Sequence, residues 1–159
     1  MPQFNSLDKL LNYIQQQVQD AMQNEVAEEV VEVMTEDGGT IDKTVYDAYT
    51  PYNLAGTDHH YHRTYQLKDP NNFSKEMIDE NTLAVRSTRS EGDRDIAEVI
   101  ESGVGYDWGL NSGYVRDLDK EIGARPFHEA TVEELQSTGR HVEALKRGLE
   151  KRLGKGTVE

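Results

Sequence analysis

The residues best equipped for chemistry lie in one run, Asp58-His59-His60-Tyr61-His62, with Asp47 and Asp69 not far along the chain. Imidazole and carboxylate are the metal ligands left to a protein without cysteine, so a divalent ion would be sought here. The spacing argues otherwise. Helical pairs share a face at an interval of four, and an alternating strand would bring His60 and His62 together while sending His59 to the other side. The run reads as a loop, and Arg63 follows it directly, where it would repel a cation. The expectation is a solvated surface cluster. The competing reading, from a different functional class, is a small metal-dependent enzyme using His59, His60 and His62. Elsewhere no glycine-framed nucleophile elbow surrounds a serine, and no glycine-rich phosphate loop precedes a helix. Neither a catalytic residue nor a cofactor is expected. Glu28, Glu29, Glu32 and Glu36 recur at helical spacing and read as a solvated face.

Composition narrows the partners. The 159 residues carry 30 Asp and Glu against 17 Lys and Arg, a formal net charge of -13. General attachment to nucleic-acid phosphates is therefore unfavourable, because it depends on clustered Lys and Arg. The absence of cysteine excludes disulfides and thiolate nucleophiles. No apolar run approaches the roughly 20 residues of a membrane span, and no signal peptide is read at the start. No membrane partner is expected, and the chain reads as made and used in the cytoplasm. With 35% hydrophobic residues, the core is modest for one domain, and a partner surface is expected to complete the burial.

The elements that would position these residues are legible in outline. Asn5 or Ser6 can cap a first helix with apolar positions Leu7, Leu10, Leu11, Ile14, Val18, Met22, Val26, Val30 and Val33, stopped by Gly38-Gly39. At about 28 residues it forms a rod of roughly 40 Å, so it spans the domain or protrudes, and oligomerisation would cover the stripe. The organisation expected is a long helix over 1–37, an irregular Tyr-rich connector over 40–70, a sheet with loops over 73–130 and a C-terminal helix over 131–153. The connector holds Tyr46, Tyr49, Tyr52, Tyr61 and Tyr65, which suit either an interface or the chain's own core. Phe73 to Ile78 and Leu83 to Thr88 read as two strands across a turn, and a glycine-punctuated loop carries the only tryptophan, Trp108. Pro126 restricts Arg125 to extended geometry, so Ala124 to Phe127 is expected as a short strand that aims Phe127 inward. Thr131-Val132-Glu133-Glu134 reads as the capping box that starts the last helix. Leu135, Val142, Leu145, Leu149 and Leu153 follow at helical spacing. The fold class is α+β: a long N-terminal helix, a small antiparallel sheet, and a C-terminal helix packed on it.

Two short stretches belong together. Val99-Ile100-Glu101-Ser102-Gly103 is an aliphatic pair followed by Glu-x-Gly, and Ala124-Arg125-Pro126-Phe127, with Ala130 beyond, leads into the terminal helix. This pattern resembles the tail-completion proteins of long-tailed bacteriophages, small neck or head-tail joining proteins also described as minor capsid proteins. Where many members carry a further apolar residue after Arg-Pro-Phe, this chain has His128 and Glu129. The resemblance implies a structural virion protein made in the host bacterial cytoplasm. Copies would form a ring, commonly of six, between head-completion or connector proteins and the tail tube or its terminator, with double-stranded DNA passing through unbound. A tail-terminator ring is the alternative in the same class. Glu101 and Arg125 read as an architectural clamp between the two stretches, because an Arg–carboxylate pair can lock two segments.

Overall fold

The computed structural model describes residues 3–48, 64–104 and 123–154. It is α+β, with a long N-terminal helical run, two small antiparallel hairpins and C-terminal helices. Helix α1 (Leu7–Ala21) passes through a π-helical segment (Met22–Val26) into α2 (Ala27–Thr35). Ser6 caps α1, its Oγ accepting the Lys9 amide at 3.3 Å. The run from 7 to 35 is about 43 Å long at 1.5 Å per residue. It ends at the glycine pair, where Gly38 takes a φ of +73° and a β-carbon on Gly39 would lie 2.7 Å from the Val33 carbonyl oxygen.

A second π-helical segment (Asp42–Tyr46) and two short 3-10 turns (Gln66–Lys68 and Pro70–Asn72) lead to the hairpin of β1 (Phe73–Asp79) and β2 (Thr82–Ser87). Its register runs from Phe73 opposite Ser87 to Met77 opposite Leu83, then slips by a bulge before Asp79 meets Thr82. The Asp79 carboxylate closes the turn by accepting the Asn81 amide at 2.8 Å. A miniature hairpin, β3 (Ser90–Glu91) and β4 (Arg94–Asp95), turns on Gly92 and delivers Asp95 to the start of α3 (Ile96–Ser102). Asp95 caps α3 through the Glu98 amide, and Gly103 ends it at a φ of +69°.

The C-terminal region departs from the single helix expected from Thr131. Helix α4 (Phe127–Thr138) starts four residues earlier, and Gly139, at a φ of +70°, breaks the run before α5 (Arg140–Leu153). The 123–126 segment forms no strand; Pro126 directly precedes the first turn of α4, where its missing amide is harmless. Thr131 is not a cap. It is buried in α4, its Oγ donating to the Phe127 carbonyl and lying 2.6 Å from the Thr40 Oγ.

The core lies between α2, the 40–46 turn, the first hairpin, α3 and the start of α4. Val31, Met34, Ile41, Val45, Leu67, Phe73, Ala97, Ile100 and Phe127 form it, with Val30, Tyr46, Val85 and Ile96 at its margin. Helix α5 runs antiparallel to α1 and α2. It crosses closely because Gly148 sits against Ala21, leaving no room for a β-carbon: one would stand 2.8 Å from the Ala21 methyl. The buried residues of α5 are therefore Ala144 and Gly148, while Val142, expected on the apolar stripe, is exposed.

Candidate functional site

The two stretches singled out by their spacing meet at the junction of α3 and α4. The Arg125 amide donates to the Ile100 carbonyl at 2.9 Å, which ties the 123–126 segment to the last turn of α3. Gly103 then permits an approach that no other residue would: a β-carbon there would lie 2.6 Å from the Ala124 nitrogen and 2.9 Å from the Gly123 carbonyl carbon. Glu101 reaches across to α4, and its Oε1 accepts the His128 amide at 2.7 Å and the His128 Nδ1 at 2.8 Å. That amide is one of the donors left open at any helix start. The cap of α4 thus comes from another element. The Arg125 guanidinium is buried and reaches the Val45 carbonyl at 3.4 Å. Glu101 and the Arg125 guanidinium thus bond different elements, Glu101 to α4 and Arg125 to the 42–46 segment. Phe127 is fully buried, its ring centroid 4.2 Å from that of His128.

A second constellation joins α5 to the long helical run. Glu29 is buried on α2, and its two oxygens accept Arg140 Nε and Arg147 Nη2, each at 2.6 Å. Arg140 also holds Glu36 at 2.5 Å, and one turn before Glu29, Glu25 takes Arg152 at 2.6 Å and Lys151 at 3.4 Å. Burial alone would raise the carboxyls of Glu29 and Glu25. Hydrogen bonds from Arg140 and Arg147 to the first, and from Arg152 to the second, overcome it and hold both below the ordinary carboxylate value. Arg140 is held above its own ordinary value, by its hydrogen bond to Glu36 first and then to Glu29. Of the acidic row, Glu29 and Glu36 thus face α5, while Glu28 and Glu32 are exposed, as the spacing suggested.

A family model, YomN, matches residues 6–151. The chain belongs to the YomN family. The name resembles that of a Bacillus phage gene product, and the chain is accordingly phage-related. No match was found among curated protein sequences or solved structures. The YomN match extends from the cap of α1 almost to the end of α5, so the hairpins, the junction and the charged seam all fall within the family's span.

The remaining candidates divide between described and undescribed parts of this YomN-family chain. Tyr46 is half-buried at the core margin, and Tyr65 stacks edge-on against it at 5.0 Å while keeping half its surface exposed. Tyr65 adopts a φ of +53°, a left-handed conformation uncommon for a bulky side chain. Asp47 is exposed, and the Asp69 carboxylate is used locally, accepting the Asn71 amide at 2.9 Å. The Asp58 to His62 cluster, Tyr49, Tyr52, Tyr61 and Trp108 lie outside the described residues. Among the described residues, no group of three or more His, Asp or Glu is arranged to hold a metal ion, and no helix is long and apolar enough to cross a membrane.

Sequence reasoning missed the seam and the role of His128. The seam had a signal. Glu29 and Glu36 are seven residues apart, as are Arg140 and Arg147, so two helices packed side by side bring the rows into register. His128 had one too, because it departs from the apolar residue usual at its position in the resembled pattern.

Proposed function

We propose that this phage-related chain is a structural protein of the virion neck, copies of which form a ring between the head connector and the tail tube and complete the channel for the genome. The observation that carries the reading is the α3–α4 junction. The residues on which the resemblance to tail-completion proteins rests, Val99 to Gly103 and Ala124 to Ala130, form one physical unit in which Glu101 caps α4 and Gly103 seats Ala124. The motif is thus a building device, as a non-enzymatic part would need. The charged seam supports the same reading. Arg140, Arg147, Lys151 and Arg152 are turned onto acidic partners of α2 and the π-helical segment, which leaves the chain's surplus of 30 acids over 17 bases to dominate its surface. A channel for double-stranded DNA works best without adhesion, and carboxylates facing phosphates supply that. No catalytic role is assigned.

The test is electron microscopy of lysates from a phage lacking the gene, counting filled heads, free tails and joined particles. The expected result is filled heads and complete tails that fail to join. Infectious, joined particles in normal number would end the reading, and an absence of heads would move the protein to an earlier assembly step. Heads beside tails of uncontrolled length would point to a tail terminator instead.

A further inference from the structure

The first turns of α1 carry an apolar seam that no other described element covers. Leu7, Leu11 and Ile14 are 68%, 54% and 39% exposed. With Phe4 before them, packed on Tyr13 at 5.1 Å, and Val18 after, they alternate at intervals of three and four, the repeat by which two helices wind around each other. Among the described residues, the hydrogen bond from another element that lies furthest toward the N-terminus is at Gln15, to Glu80 in the hairpin turn; α5 reaches only to the Asp20 carbonyl, through Arg152. Leu7 and Leu11 lie beyond the Gln15 bond with more than half of their surface open.

We infer that this seam is a self-association surface, on which a second copy of the chain lays the same segment of its own α1. The argument for that occupant is charge. Copies with a net charge of -13 repel one another wherever their surfaces are acidic, yet residues 3–19 contain one acid, Asp8, and one base, Lys9, the rest being apolar, amide, hydroxyl or tyrosine. This stretch is neutral in a strongly acidic chain. A strongly charged partner would find no opposing field here, whereas an identical surface offers apolar residues to apolar residues and neutral flanks to neutral flanks. The contact is a few helical turns long, below the roughly 1,600 Å² of an ordinary interface, so it is weak by itself; as the same patch on both copies it closes a pair, and a ring would join such pairs through a second, different contact. The inference deepens the ring reading, on which it rests for the reason that copies meet at all.

The chain's lack of cysteine makes the test direct. Purified Leu11→Cys protein, mildly oxidised, is expected to give a disulfide-linked dimer, whether the helices pair parallel or antiparallel about the middle of the seam. Gln136→Cys, at an exposed position of α4, serves as the control and is expected to remain unlinked. In sedimentation velocity, the wild type is expected to associate with rising concentration, and the double variant Leu11→Lys with Ile14→Lys to remain monomeric with an unchanged circular dichroism spectrum. A wild type that stays monomeric, an association that survives the double variant, or equal cross-linking of the Leu11→Cys and Gln136→Cys proteins would each overturn the inference. Association that survives the double variant leaves the neck reading standing. Association that is lost, in a phage whose heads and tails join normally without the gene, removes the neck reading and leaves the seam.

Discussion

Phe127 is the residue on which the junction turns, because it is fully enclosed and belongs at once to the first turn of α4 and to the core. Phe127→Ala should lower stability by roughly 3 to 5 kcal/mol; urea denaturation with a midpoint near that of the wild type would show that the site collapses around the smaller side chain. Its importance was legible because Pro126 restricts the backbone just before it. Gly148 was not legible in that way, since a lone glycine inside a helical pattern reads as a flaw. Ala at 148 would improve helix propensity by about 1 kcal/mol, but its methyl would meet the Ala21 methyl at 2.8 Å, and both are fixed to packed backbones. Overpacking of this kind costs about 1 to 3 kcal/mol, so Gly148→Ala is expected to be net destabilising in the same assay, and a raised midpoint would contradict the close crossing.

At the scale of elements, α5 is held by carboxylates facing cations as well as by its half-buried leucines, and this makes its docking sensitive to acid. The folded-state values of Glu25 and Glu29 lie below their ordinary 4.5. The stability they contribute is therefore fully present above pH 4.5 and is lost as the pH falls through the depressed folded values. The melting temperature should drop as buffers go below pH 4.5, and a Glu29→Gln variant, less stable at neutrality, should show a shallower acid decline. A wild-type melting curve unchanged at pH 3 would rule out the seam as a main tether. The long helix and the first hairpin could be read from periodicity and turn residues because their determinants are local. The start of α4 could not. Thr131 to Glu134 satisfies a capping pattern, but the acceptor that caps the helix is Glu101, 27 residues before His128, and only folding brings it there. The split into α4 and α5 had its sign in Gly139, which the leucine spacing on either side outweighed.

For the molecule as a whole, charge sets behaviour toward DNA. With -13 overall and Arg140, Arg147, Lys151 and Arg152 engaged by acids, the purified protein should not retard duplex DNA in a gel even at low ionic strength, where phosphate attraction is strongest; a shift that fades with salt would contradict the proposed non-adhesive channel. What composition could not convey is how closely Gly103 and Ala124 are brought together. Gly103 and Ala124 stand backbone to backbone, and the Ile100–Arg125 hydrogen bond fastens the two segments beside them. Loop-closure entropy changes by only about 0.6 kcal/mol per doubling of length, so replacing 105–122 with a short Gly-Ser bridge should leave the helices folded and the melting point nearly unmoved.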